Sequence, residues 1–182
     1  LMSLAAHKAY GPKGIGALVF RGSPALLRPV LRGGAQERGL RPGTQDPVLA
    51  AGFLRALERA ADGPARYERL GLERDRIEAA LGDLAQPNVT ADRVPHVSSL
   101  FVPGARGDEL VAALDLAGLS VSSGSACSAG SSEPSPALSA MLGDERALGS
   151  IRLSLGDATR PAEVDRAISV LIRLLSARRA NP

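Results

Sequence analysis

Two side chains in this sequence could act as nucleophiles, and both stand out by rarity. Only two of the 22 basic residues are lysines, Lys8 and Lys13, and both lie in the run A-H-K-A-Y-G-P-K-G-I-G that begins at Ala6. Where arginine fills every other cationic position, a primary amine at position 8 points to chemistry that a guanidinium cannot do. A guanidinium stays protonated and is a poor nucleophile, whereas an amine can condense with a carbonyl as a Schiff base and then move protons. An ordinary solvated lysine beside a turn satisfies the same composition, so both readings stand at this point.

The second is Cys127, the single cysteine, in V-S-S-G-S-A-C-S-A-G-S-S-E-P-S. One cysteine excludes an intrachain disulfide. Unpaired cysteines are usually buried among apolar neighbours, but this one has serine, glycine and alanine around it. Such a run suits an exposed loop, and an accessible thiol is the kind that reacts. A buried, inert cysteine is the alternative.

The bulk numbers bound what surrounds these residues. A length of 182 allows one domain or two small ones, and 45% hydrophobic residues can build a core. Aromatic residues make up 3% with no tryptophan, which leaves few stacking platforms for single-stranded nucleic acid. The net charge of +3 comes from scattered arginines and not from a basic block, so no direct nucleic-acid partner is expected. Apolar stretches fall well short of the roughly 20 residues a membrane helix needs, and no charged-then-apolar leader precedes them. A soluble, cytoplasmic protein without a membrane partner is the expectation. The first motif is under way by Ala6, which points to an upstream portion before Leu1.

The elements that must position Lys8 and Cys127 follow from pattern. Gly14–Phe20, G-I-G-A-L-V-F, is an apolar run bounded by glycine and predicts a buried strand. The segment L-R-G-G-A-Q-E-R-G-L-R-P-G-T, 31–44, is too rich in glycine and proline for helix or central strand and predicts a loop. From Pro47, Leu49, Phe53, Leu57 and Ala60 fall at helical spacing until Asp62-Gly63-Pro64 breaks the pattern, and a second helix is expected over 65–84. Val94–Val102 predicts a strand with Pro95 near its start. Leu110, Val111, Leu114 and Ala117 define the apolar face of a further helix capped by Gly118. A short strand is expected at Leu119–Val121 and a short helix at Ala137–Leu142. Ile151, Leu153 and Leu155 alternate with Arg152 and Ser154 as in a strand. The last helix buries Val164, Ile168, Leu171, Ile172 and Leu175, with Thr159 expected as N-cap and Pro161 in the first turn.

The lysine run, G-G-A-Q-E-R-G-L-R-P-G-T and S-S-G-S-A-C-S-A-G-S-S-E-P-S, in this order and followed by S-I-R-L-S-L-G, together resemble the cysteine desulfurases. The long S-S-G-S-A-C loop is most similar to the branch that supplies sulfur for iron–sulfur clusters and tRNA thiolation. The resemblance implies an α/β chain of the pyridoxal-phosphate-dependent aspartate-aminotransferase fold (fold type I). Residues 1–63 would be the end of the large cofactor domain, and 64–182 the small C-terminal domain carrying the cysteine loop. It implies conversion of L-cysteine to L-alanine, with the sulfur left as a persulfide on Cys127.

Residue by residue, Lys8 matches the lysine that holds pyridoxal 5'-phosphate and shuttles protons, and His7 a residue lining the cofactor site. Thr44 matches a residue that contacts the cofactor phosphate across a dimer interface, which implies a homodimer. Arg152 matches the residue that binds the substrate α-carboxylate; without the family match, an arginine on the wet face of an edge strand is the reading. Cys127 matches the sulfur nucleophile, with Gly124 and Gly130 as pivots. Sulfur-acceptor or iron–sulfur scaffold proteins are the implied partners; no resident metal is expected, and Cys127 is a candidate transient iron–sulfur ligand. Glu37, Arg38 and Arg41 either buttress the Thr44 loop through ion pairs or form an exposed charged face. Lys13 serves the turn.

The sequence departs from the family at three points. Ala5 stands where a phosphate-binding serine is usual, Pro42 replaces the serine before the G-T pair, and Ala35 replaces a loop glycine. The family's ring-stacking histidine, its aspartate for the pyridine nitrogen and its first phosphate loop would all lie upstream of Lys8. The 182-residue chain on its own is therefore expected to be inactive, with a parallel-sheet edge and apolar surface uncovered. The rival functions are a selenocysteine lyase or another lyase of the same cofactor fold, and a non-catalytic scaffold that binds sulfur acceptors.

Overall fold

The structure is a computed structural model and describes residues 1–23, 26–124 and 134–180. It divides into two compact units, Leu1–Gly63 and Pro64–Pro182.

In the first unit the chain runs out along β1 (Met2–Ala5), reverses through the lysine segment and returns along β2 (Gly16–Val19). The pairing is antiparallel, with Ala5 opposite Gly16 and Met2 opposite Val19. So short a reversal can join only antiparallel strands, because a parallel pair needs a crossover of a dozen or more residues. The expected parallel edge is thus replaced by a two-stranded ribbon. The strand expected over Gly14–Phe20 forms, but it is exposed along its length, and Leu18 retains 54% of its accessible surface. Among the described residues of the unit, Leu4 and Ile15 pack against the apolar cluster of Ala6, Phe53 and Ala56, while β2 stays exposed.

Helix α1 (Pro47–Ala61) starts where the proline pattern places it. Asp46 is the N-cap: its Oδ1 accepts hydrogen bonds from the N–H groups of Val48 and Leu49, both at 2.9 Å. Its buried face is Phe53 and Ala56, whereas Leu57 and Ala60, expected on that face, are exposed. The cause is the turn against which the helix packs: Gly52 brings the backbone close to Pro12 and rotates the contact toward Phe53.

The second unit packs helices against one sheet. It begins with α2 (Gly63–Leu81), followed by β3 (Gln86–Pro87), β4 (Val97–Phe101) and α3 (Gly107–Leu116). Then come β5 (Ser122–Ser123), α4 (Pro136–Leu142), α5 (Asp144–Leu148), β6 (Ser150–Ser154) and α6 (Pro161–Ala180). The strand order is β3-β4-β6-β5, with every pairing among the described residues antiparallel. β6 is therefore an inner strand, not an edge.

One face of this sheet, carrying Leu100, Ile151 and Leu153, closes a core with Ile77, Leu81, Leu110, Leu114, Val164, Leu171 and Leu175. Each such side chain contributes about 1.5–3 kcal/mol of burial. A half-buried ionic group ties α2 to the start of β4. Arg93 makes two hydrogen bonds to the Glu78 carboxylate at 2.7 and 2.8 Å, and the Ser98 hydroxyl donates to the same carboxylate at 2.6 Å. The Glu78 hydrogen bonds hold the Arg93 guanidinium even further into its charged form than usual.

Two local expectations are corrected. The short strand lies at Ser122–Ser123 and not at Leu119–Val121, because Gly118 (φ +78°) ends α3 and the Leu119 N–H turns back to the Leu114 carbonyl. Thr159 does not cap α6; its hydroxyl accepts from the Gly156 N–H, closing the preceding turn. The residue before Pro161 is Arg160, whose own N–H is taken by the Glu163 carboxylate at 2.8 Å, half of a capping box. Helix α5 and strand β3 are too short for periodicity to reveal. No helix among the described residues is long and apolar enough to cross a membrane.

Candidate active site

Lys8 rides a single 3-10 turn, Ala6–Ala9, between the ribbon strands. The turn is anchored at one point: Ala6 is fully buried against α1, its N–H donates to the Ile15 carbonyl at 3.1 Å, and its carbonyl accepts from the Gly11 N–H at 2.8 Å. Tyr10 closes the turn in the left-handed region (φ 60°, ψ 20°), a strained conformation for a non-glycine residue. Gly11 is required by proximity, since a Cβ there would sit 2.9 Å from the Ala6 carbonyl oxygen and 3.1 Å from the Ala56 Cβ. Gly16 is tighter still, with the Leu4 carbonyl oxygen 2.4 Å from where its Cβ would be. These contacts fix the backbone that carries His7 and Lys8 and leave both side chains exposed. Among the described residues the Lys8 amine has no hydrogen-bond or ion-pair partner.

The Thr44 loop is organised differently from the ion-paired arrangement considered above. Among the described residues Glu37, Arg38 and Arg41 form no ion pair. Instead the Gln36 side chain spans the loop and accepts from the Gly43 N–H at 3.2 Å, while Gln45 donates to the Gly43 carbonyl at 2.9 Å. Glu37 and Arg38 both adopt left-handed backbone (φ 50° and 59°). The Thr44 hydroxyl is exposed and lines a cavity of about 730 Å³ together with Ile15, Leu18, Leu31, Leu40 and Arg41. Neither Lys8 nor His7 is among the residues that line this cavity.

Arg152 occupies the middle of β6, half-buried, and is flanked in register by Ser99 of β4 on one side and Ser122 of β5 on the other. Its strand is held on both sides, and among the described residues its guanidinium has no partner. This overturns the picture of an arginine on an edge strand.

Beside it lies a polar group that no sequence pattern signalled. Asn88 is 9% exposed; its amide nitrogen donates to the hydroxyls of Ser99 (2.9 Å) and Ser150 (2.8 Å), and its Oδ1 accepts from Arg146 Nε at 2.8 Å. Arg146 also donates to Gln86 and to the Pro87 carbonyl, with its guanidinium 4.9 Å from the Phe101 ring centre. His96 is a second residue that went unread. Its ring meets Tyr67 edge-on at 4.5 Å, its Nδ1 is buried without a partner among the described residues, and burial holds its imidazole below the ordinary value.

Cys127 and Gly130 lie outside the described residues. Gly124 is described, with φ +61° and its Cα side against Ser135, the N-cap of α4. Ala5 ends β1 with no hydroxyl to offer. The donor set fits pyridoxal phosphate in kind, with an unpartnered primary amine on a pinned turn and an exposed hydroxyl at Thr44. Among the described residues no three His, Cys, Asp or Glu side chains group as metal ligands.

The described residues form a chain of mixed α and β structure, with an exposed amine on a held turn in the first unit and a half-buried guanidinium on an inner strand in the second. The chain belongs to the aminotransferase class-V family, whose model matches residues 1–167. It is 41% identical over 186 residues to a cysteine desulfurase of Cereibacter sphaeroides, covering 99% of this chain and 47% of that one. It is 42% identical to the cysteine desulfurase IscS of Methylococcus capsulatus, covering 94% and 43%. A solved NifS-like protein superposes with a TM-score of 0.80 at 32% identity, covering 96% of this chain and 46% of the other. The chain thus spans about half the length of the relatives it matches.

Proposed function

We propose that this chain works in a pyridoxal-phosphate-dependent cysteine desulfurase, with Lys8, Arg152 and Cys127 in the roles the motifs assign. The observation that carries the reading is the coexistence of two cations on held backbone, each without a partner among the described residues, Lys8 on its pinned turn and Arg152 on an inner strand, in a chain so similar to known cysteine desulfurases. When bound, pyridoxal phosphate supplies a sink for the charge left at the substrate Cα. Lys8 holds the cofactor and its Nζ takes and returns the Cα proton. Arg152 offers two parallel N–H donors to the L-cysteine carboxylate and so orients the Cα–H bond. His7 and Thr44 are assigned to the cofactor, Thr44 to its phosphate. The Cys127 thiolate attacks the substrate sulfur, forming a sulfur–sulfur bond as the substrate carbon–sulfur bond breaks; the electron pair of that bond stays on the substrate Cβ, which takes up a proton, the new persulfide gives up the substrate thiol proton, and L-alanine leaves.

In this reading residues 1–63 are the closing part of the cofactor domain, and 64–182 the small domain. The protein works as a homodimer in this reading, with the Thr44 hydroxyl serving the second subunit's cofactor. A cytoplasmic setting and a sulfur-acceptor or iron–sulfur scaffold partner complete the proposal. The test is mass spectrometry of the full-length native protein after addition of L-cysteine. One extra sulfur on the peptide containing Cys127 is expected, and Cys127→Ser should abolish it. Alanine formation with no sulfur retained at Cys127 would refute the assignment.

A further inference from the structure

We infer that Ser99 is a second carboxylate-binding residue beside Arg152, and that Asn88 is the positioning residue that makes its hydroxyl a donor. The inference rests on the proposed role of Arg152 and extends it to residues that no motif marks.

The argument is one of hydrogen-bond direction. Arg146 has only donors, so the Asn88 oxygen must face its Nε at 2.8 Å and the amide nitrogen must face the serines. That amide is further fixed because the Asn88 N–H donates to the Ser99 carbonyl at 2.8 Å. Ser99 Oγ is therefore an acceptor toward Asn88, and its proton must point elsewhere. Ser150, the other hydroxyl on the same amide, donates its proton to the Arg146 carbonyl. Ser99 has no such acceptor among the described residues. The polarised chain from Arg146 through Asn88 thus ends on an O–H without a partner.

That O–H stands next to Arg152. The two residues are directly opposite in the β4–β6 register, which places their Cβ atoms about 5 Å apart on one face of the sheet. An anion gripped by the guanidinium lies within reach of the Ser99 proton, and a planar carboxylate has lone pairs to spare after a bidentate arginine contact. Ser122 flanks Arg152 from β5 but has no orienting amide among the described residues, so its hydroxyl is free to turn.

The experiment titrates the full-length cofactor-bound protein with L-alanine and, separately, with L-alaninamide, which lacks the carboxylate, following the cofactor absorbance. Ser99→Ala is expected to weaken L-alanine about tenfold, as for a lost hydrogen bond to a charged group. Alaninamide should stay within about twofold, Ser99→Thr should restore binding, and Ser122→Ala should cost less than about threefold. In an Arg152→Ala background the Ser99→Ala effect should shrink toward nothing, because the two residues share one ligand group. Equal losses with acid and amide, or no loss with the acid, would overturn the inference while leaving Arg152's role intact. A wild-type protein that binds acid and amide alike would refute the carboxylate reading of Arg152 and this inference with it.

Discussion

Three buried side chains, Ala6, Phe53 and Ala56, hold the turn that carries Lys8, whereas fourteen back the sheet that carries Arg152. The lysine backbone is fixed by close approach: glycines at 11, 16 and 52 let a turn, a strand and a helix touch where a methyl group would not fit. The arginine backbone is fixed by area, through a core of leucines, isoleucines and valines on the opposite face of an inner strand. Two routes to a rigid site follow, one sensitive to adding an atom and the other to removing several. The first unit can therefore be precise at Lys8 while its ribbon stays exposed, since tight glycine contacts need little buried surface.

The largest expected effect comes from removing the amine. Lys8→Ala should lower turnover by about 10³-fold or more, the range for a lost proton-transfer group. Lys13→Ala, on the same run, should leave turnover nearly unchanged, and steady-state kinetics of the two variants side by side checks the pair. Core truncation comes next. Leu100→Ala should destabilise the protein by about 2–5 kcal/mol in denaturant unfolding, since Leu100 is fully buried. Leu57→Ala, at 42% exposure in the first unit, should stay within about 0.5 kcal/mol. Equal costs would erase the contrast between the units.

Adding an atom should do the reverse. Gly11→Ala pushes a methyl group against Ala6 and Ala56 and should cost about 1–3 kcal/mol, read as reduced cofactor occupancy together with a lower melting temperature. Gly63→Ala, with nothing near its added methyl, should be neutral or slightly stabilising.

The smallest effect is a pH dependence confined to the second unit. Burial holds the His96 imidazole below its ordinary value near 6.5, so below that pH the unfolded chain binds more protons than the folded one. Stability should accordingly fall as pH drops beneath about 6.5, and the loss is complete below the depressed folded value. His96→Phe, which keeps the edge contact with Tyr67, should flatten the melting-temperature profile between pH 7 and 5. A profile unchanged by that substitution would assign the dependence to other groups.

Legibility in the sequence tracked the range of the interaction. Helix α1 and the break at Asp62-Gly63-Pro64 were readable because caps and breakers are local, and the β6 alternation because its apolar residues recur at every second position. Lys8 stood out by rarity, and the glycines around it by density. Phe53 is buried on α1 as its spacing predicts, but the exposure of Leu57 and Ala60 is not legible in the sequence, since it depends on where Pro12 and Ala6 pack. The strand after Lys8 was expected to be buried because apolar runs usually are, but a ribbon of two strands offers no second layer. Asn88, Ser99, Arg146 and Ser150 come from four separate segments and share no spacing, so only the folded sheet brings them together. The inner position of Arg152 was hidden for the same reason: strand order is set by long-range pairing.

The scarcity of lysine makes the central claim open to one direct measurement. Borohydride reduction of the full-length native protein loaded with pyridoxal phosphate, followed by proteolysis and peptide mass spectrometry, locates the residue that holds the cofactor. Within this chain there are two candidates, Lys8 and Lys13, both ahead of the first arginine, Arg21, and fragment-ion sequencing of the peptide that ends there tells them apart. Label on Lys8 alone, lost in Lys8→Ala and retained in Lys13→Ala, is the result expected from an unpartnered amine on a pinned turn. Label on Lys13, or none on this chain while the protein binds the cofactor and forms alanine, would contradict the account.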